Sequence, residues 1–236
     1  MAKALVFTLK GESVPFTIRR SDRKTYRVSV DVDGSIRLMA PHLVSDENCA
    51  AFLQQSRHWI SRQRAAILSQ PKAPKLKYVA GETHLYLGKP RRLKTPLASK
   101  ASVKLDRSQL IVSSRQEPEP SAVRLALEKW YRLQALDVFQ IRLMACIQNS
   151  YFNEGDRPSA IRIKKLKSSW GSMSRAGVLT LSADLIKAPI ECIDYVITHE
   201  LCHVRIPRHG PDFWKALSRA MPDWKSRRKA LEELLG

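Results

Sequence analysis

The sequence predicts an α+β fold, with a β-rich N-terminal half and an α-rich C-terminal half that holds a small sheet and a histidine-bearing helix. Three observations predict it. Residues 14–40 and 82–112 contain short apolar runs broken by Gly, Pro and Ser. From Ser121 the apolar spacing lengthens to threes and fours. Pro189 then opens an amphipathic stretch that carries His199, Glu200 and His203. The change of period places a boundary at 115/116, between a β-rich region over 1–115 and a mixed region over 116–236.

Each element has its own signal. Val14, Phe16 and Ile18 alternate, as do Tyr26, Val28, Val30 and Val32, then Ile36 and Leu38. Asp33-Gly34 between the last two runs predicts a hairpin. Pro41 ends this sheet, and Ser45 or Asp46 can cap a helix over 46–69 that includes Phe52, Trp59 and Ile60. Residues 70–77, rich in Pro and Lys, read as a linker or exposed loop. Strands are expected at 82–87, 92–94, 103–105 and 110–112. A helix from Ser121 to about Asn149 follows, with Val123, Leu127, Trp130, Leu133, Leu136 and Ile141 as its apolar stripe. Ile161 and Ile163 suggest one strand and residues 178–181 another, with Trp170-Gly171-Ser172 in the hairpin between them. If the strand 178–181 lies at a sheet edge, an extended peptide can pair with it. The tail after Pro211 reads as helical, with an interruption at Pro222.

Length and composition bound the function. The 236 residues suffice for a core without staples, and no apolar run approaches the ~20 residues needed to cross a bilayer. No signal peptide is read at the N-terminus, so the cytoplasm is the expected compartment and no membrane is expected as a partner. Cys49, Cys146, Cys192 and Cys202 lack metal-type or disulfide-type spacing and read as core fillers. Cys202 sits about 100° around the helix from His203, which argues against a ligand role. The formal charge of +19 attracts polyanions, so nucleic acid or nucleotides are possible partners through a basic surface. The excess leans to residues 1–100, which carry 19 basic and 7 acidic side chains.

The chemistry concentrates in residues 198–210. His199 and His203 are four apart, so on a helix both imidazoles face one side and can share one ion. Glu200 is displaced by about 100°, too far round to be the obvious third ligand, but it can reach a water on that ion as general base. A catalytic zinc site wants a third protein ligand and leaves its fourth position open. His209, beyond the helix-ending Pro207, is the first candidate. A carboxylate from the C-terminal helices is the alternative, with Asp212 first in line. Asp212 can also orient a ligand histidine from outside, or simply favour the start of a helix after Pro211. Zn2+ is the expected cofactor. His42, His58 and His84 lack such company and read as surface or partly buried residues. Trp170-Gly171-Ser172 can line the cleft, while Phe213, Trp214 and Leu217 read as packing under the site.

A set of these motifs carries a family resemblance. Trp170-Gly171-Ser172, residues 178–181, residues 185–189, Ile193-Asp194-Tyr195-Val196, His199-Glu200-Leu201-Cys202-His203, His209-Gly210 and Phe213-Trp214 together resemble the YgjP-like metallopeptidases, distant relatives of the SprT-like zincins. The resemblance is strong over about 160–225 and weaker across the rest of the chain. It implies a zincin-like C-terminal half, zinc held by three histidines, one continuous YgjP-like unit, and metallopeptidase activity. Members often carry Cys after the Trp-Gly-Ser, where this chain has Met173.

The leading expectation is therefore a zinc-dependent hydrolase that cleaves peptide bonds in a peptide or protein substrate, by Glu200-assisted attack of zinc-bound water. One alternative is a metal-dependent nucleotide hydrolase, which the charge favours but the lack of a Gly-x-x-x-x-Gly-Lys loop does not. Another is a nucleic-acid-associated protein with a structural zinc, which would want a fourth protein ligand.

Overall fold

A computed structural model describes residues 4–9, 11–31, 33–69, 76–148, 151–166 and 169–235. The chain divides into two compact units, 1–75 and 76–236. The change of period at 115/116 falls inside the second of them. The expected strand residue Val32, most of the expected linker (70–75) and the expected helix end at Asn149 lie outside the described residues.

In the first unit, β1 (Ala4–Leu9), β2 (Glu12–Ser21), β3 (Arg27–Val30) and β4 (Ile36–Pro41) form a sheet in the order β1-β2-β4-β3. Alternation puts Val14, Phe16, Ile36 and Leu38 on one face, where they pack with Cys49, Leu53 and Ile60. The Asp33-Gly34 hairpin forms, joining β3 to antiparallel β4. Gly34 N–H donates to Asp31 at 2.8 Å. The single helix expected over 46–69 is two: α1 (Asp46–Gln55), capped by Ser45, and α2 (Arg57–Ser69), with a break at Ser56. Trp59 is exposed on α2 while Ile60 is buried.

The second unit begins with a sheet of β5 (Thr83–Tyr86), β6 (Lys89–Lys94), β7 (Ser102–Asp106) and β8 (Gln109–Ser113), in the order β5-β6-β8-β7. Leu93, Leu110 and Val112 from this sheet share one apolar core with the helices that follow. That continuity is why the β-to-α change of period is not a boundary between compact units. Helix α3 (Pro120–Ile147) buries Val123, Leu127, Tyr131, Ala135, Phe139 and Leu143, a stripe of steps of four. Of the expected stripe, Leu133, Leu136 and Ile141 instead face out. The helix is apolar on two sides, so spacing alone did not select the buried one.

A three-stranded sheet follows, of β9 (Ala160–Lys164), β10 (Gly171–Met173) and β11 (Val178–Ser182), in the order β10-β11-β9. β11 runs parallel to β9 and antiparallel to β10. Residues 160–164 and 178–182 are thus no hairpin pair; the hairpin joins β10 to β11. The strand 178–181 is the interior strand, so a peptide has no edge to pair with there, and β10 and β9 lie at the two edges.

Helices α4 (Ile190–Arg205), α5 (Pro211–Ala220) and α6 (Trp224–Leu235) complete the chain, with the expected interruption around Pro222. Two contacts fix α4. At its start the β5–β6 hairpin tip docks: Leu87 and Gly88 N–H donate to Ile186 and Lys187 carbonyls, each at 2.9 Å. Gly88 has φ +75° and lies against Pro189, which a Cβ there would meet at 2.7 Å, so both conformation and space demand glycine. Along its length Arg142 of α3 makes a two-pronged pair with Asp194, at 2.8 and 2.7 Å. No described helix is long and apolar enough to cross a membrane.

The observed stripe of α3 can be tested against the expected one. Phe139→Ala removes a fully buried ring and should destabilise the protein by about 3–5 kcal/mol in urea unfolding. Ile141→Ala, on an exposed side chain, should change stability by less than about 0.5 kcal/mol. The reverse ranking would place the wrong face of α3 in the core.

Candidate metal centre

Helix α4 is buried on nearly every side. Cys192, Ile193, Val196, Ile197, Leu201 and Cys202 enter the core, whereas Ile190 at its first turn stays exposed. His199 and His203 lie one turn apart on the side that opens to a cleft of about 640 Å³. The helix ends at Arg205, because Ile206 is extended and Pro207 follows. Its end is held by Asp156, a buried carboxylate that accepts from Arg205 Nε at 2.6 Å and from Arg205 Nη2. The chain then doubles back and delivers His209 before Gly210 and Pro211 start α5.

The three imidazoles converge. His209 Nε2 lies 2.9 Å from His199 Nε2 and 3.0 Å from His203 Nε2. These three side chains form the one cluster of potential metal ligands found among the described residues. His203 Nδ1 lies 3.0 Å from the Ile206 carbonyl, which can only accept, so Nδ1 carries the proton. In the neutral tautomer with that proton, the ring turns its Nε2 lone pair toward the other two histidines. Burial, followed by repulsion from His203 and His209, drives the His199 pKa down to about 3. Burial also lowers that of His209. Neutral imidazoles with lone pairs aimed at one point are the donor set that a divalent cation completes. Tetrahedral bonds of ~2.0–2.1 Å would place the nitrogens about 3.3 Å apart. The observed spacing requires an opening of only a few tenths of an ångström. His199 Nδ1 is buried without a hydrogen bond; its ring is packed edge-on against Tyr195 and Phe213.

Phe213 is the platform under the cluster, with its ring centroid 4.5–4.8 Å from those of all three histidines. Trp214 stacks on His209 at 5.5 Å and on Trp224 at 5.0 Å. Both are packing residues, as expected from the sequence. Asp212 stands exposed in the first turn of α5 and is not part of the cluster. All four cysteines are buried, and burial pushes the Cys202 thiol up to about 12.

Glu200 is 5% exposed and borders the cleft on the side of β10. Burial raises its pKa to about 7, against a lowering contribution from the backbone N–H of Met173, which donates to it. β10 can approach this closely because residue 171 is glycine. A Cβ there would meet Glu200 Cγ at 2.9 Å, Glu200 Oε1 at 3.0 Å and Val196 at 3.0 Å. Trp170 is half-buried in the cleft wall, as expected, and Ser172 is exposed beside it. The sequence reading missed three features: Tyr195, one turn before His199 and lining the cleft; Arg175, in the β10–β11 turn; and the Met173 N–H. Tyr195 had a signal in its spacing of four from His199. The backbone donor had none.

No curated protein matches the chain. Two solved structures resemble part of it. The metallopeptidase zymogen of Pyrococcus abyssi abylysin has 24% identity and a TM-score of 0.36, over 41% of this chain and 94% of that one. The metallopeptidase zymogen of Methanocaldococcus jannaschii jannalysin has 24% identity and a TM-score of 0.31, over 42% and 95%. The model of the YgjP-like metallopeptidase domain matches residues 24–234, nearly the whole chain, and this protein, a metal-dependent hydrolase of the metallopeptidase type, belongs to the YgjP-like family.

Proposed function

We propose that this protein is a zinc peptidase in which His199, His203 and His209 hold the metal and Glu200 is the general base. The observation that carries the reading is the convergence of three imidazole Nε2 atoms beside a buried carboxylate in one cleft. Three nitrogen donors with a side open to the cleft suit a catalytic zinc better than a closed structural one. A zinc ion there supplies Lewis acidity, which acidifies water and polarises a substrate carbonyl. Glu200 takes the proton from the attacking water and passes it to the leaving amine. The Met173 N–H fixes the carboxylate's direction. Trp170 O accepts from Ser182 N–H and Ser174 N–H donates to Val178 O, so these residues face β11. By alternation the backbone of Gly171 and Met173 faces the other way, along the cleft. An extended peptide can pair with this open edge and present its carbonyl to the site. Peptide-bond cleavage in a peptide or protein is the activity we assign.

The purified protein should bind close to one zinc per chain, and His199→Ala or His203→Ala should remove most of it by metal analysis. Full occupancy in both variants would refute the ligand assignment.

Glu200→Gln should retain zinc and lose roughly 10²–10⁴-fold in turnover. The metal-free proteins supply a second readout. The folded Glu200 pKa lies above its ordinary value of 4.5, so its contribution to stability is present at low pH and is lost as pH rises through about 7. The stability of Glu200→Gln relative to the parent should therefore rise by about 3 kcal/mol between pH 4 and pH 8 in urea titrations. A constant difference would mean that the carboxylate is not desolvated.

Gly171→Ala should push β10 away from Glu200, lowering stability by about 1–3 kcal/mol and slowing hydrolysis, while zinc content stays unchanged. The double variant Gly171→Ala/Glu200→Ala should recover part of the stability. Strict additivity of the two changes would show that the close approach is not the cause.

A further inference from the structure

A second cavity, of about 650 Å³, adjoins the metal cleft at Trp170, which lines both. Its floor is apolar and aromatic, with Leu127, Tyr131, Ile163 and Tyr78. Its remaining wall is cationic. Lys129, Arg132, Lys164, Lys165 and Lys187 line it, against the carboxylates of Glu128 and Asp184. Lys165 is paired with Glu128 at 3.1 Å, and Lys187 with Asp184. Lys129, Arg132 and Lys164 are left with no carboxylate partner among the described residues. Lys187 Nζ also lies 5.4 Å over the Tyr131 ring.

The cavity wall also holds a buried imidazole beside a carboxylate. His84 was expected at or near the surface, yet it is 3% exposed. Its Nε2 lies 3.1 Å from Glu82 Oε2 but out of line for a hydrogen bond, and so makes none. The same Glu82 carboxylate accepts from Tyr78 N–H at 2.8 Å. That holds Tyr78, at φ +61°, with its ring 5.5 Å from the imidazole. A non-glycine residue in the left-handed region is strained. Here the strain places an aromatic ring at the cavity wall.

We propose that this cavity receives an acidic side chain of the bound peptide, on the Trp170 side of the scissile bond. The inference rests on the peptidase reading and on the placement of substrate along the β10 edge. A peptide paired with Gly171 and continuing past Trp170 leaves the metal cleft toward the second cavity. There Lys129, Arg132 and Lys164, with no carboxylate partner among the described residues, face an incoming anion, and the apolar floor accommodates the methylenes that carry it. The enzyme then selects acidic segments, to which the +19 chain is also drawn at long range. The metal cleft itself supplies no comparable selectivity, since Arg175 is its one cationic side chain.

The test is binding of fluorescein-labelled decapeptides to the zinc-loaded Glu200→Gln protein by anisotropy. A single Glu, Gln or Lys is stepped through an otherwise neutral sequence. One position, or two adjacent ones, on one side should favour Glu over Gln by roughly five- to tenfold, with Lys weakest, and the preference should shrink as salt rises. Arg132 and Lys164 are exposed and lie outside the metal cleft, so Arg132→Glu/Lys164→Glu should fold and should invert the preference to Lys. The milder Arg132→Gln/Lys164→Gln should flatten it. Peptides that bind equally well with Glu, Gln or Lys at every position would overturn the cavity assignment and leave the peptidase reading intact. So would a preference that survives both double variants. If no peptide of any composition binds or is cleaved by the active protein, it is the peptidase reading that fails.

Discussion

The arrangement depends on one constraint: α4 is buried on almost every side and yet carries two imidazoles and a carboxylate. Polar groups in such a place are tolerated only with partners. The fold supplies them by bringing three other segments to one helix. The chain after Pro207 returns His209, α5 lays Phe213 under all three imidazoles, and β10 offers its Met173 N–H to Glu200. What these segments leave open is the point between the three Nε2 atoms, a concentration of lone pairs that calls for a cation. The histidine cluster is continuous with the core rather than an addition to it.

The second layer of the design keeps α4 from moving. Its start is pinned by the β5–β6 hairpin through Gly88 and Pro189, its middle by Arg142 on Asp194, and its end by Asp156 on Arg205. The two arginines make two-pronged contacts with partly or fully buried carboxylates, a geometry that fixes direction as well as distance. Separations of about 3 Å from His209 to both His199 and His203 tolerate little freedom in the helix that carries the latter two. This is also why the β-rich region over 83–113 belongs with the motif helix: its hairpin is part of the clamp.

How much of this the sequence revealed follows from how local each feature is. The convergence of the histidines was legible, because His199, Glu200, His203 and His209 fall within eleven residues and helical geometry relates the first three. The α+β class and nearly every strand were legible from short-range alternation. Errors arose where a feature is set by distant partners. Nothing near residues 178–182 says that they pair in parallel with 160–164, so whether this strand is at an edge or in the interior was left open. α3 has Leu133, Leu136 and Ile141 on one side and Leu127, Ala135 and Phe139 on another, and only the packing of α4 and the sheets selects between them. His84 stands on a short alternating strand whose inward face is defined by residues 45 positions downstream and beyond. The division into units was misplaced for the same reason: a change of secondary-structure period is local, while the sharing of a core is not.

The wall opposite the histidines shows how the cleft divides work between backbone and side chains. At position 171 the side chain must be absent, because Glu200 and Val196 occupy the space that a Cβ would take. At position 173 the contribution to Glu200 is a main-chain N–H, and any non-proline residue provides it. No particular side chain is therefore required at position 173 to hold the carboxylate. Trp170 contributes its ring, shared by two cavities, while its carbonyl remains in the sheet. Alternation along three residues thus separates the backbone groups that build the sheet from those that face the cleft, and the Met173 N–H on that outward side is the one that meets Glu200.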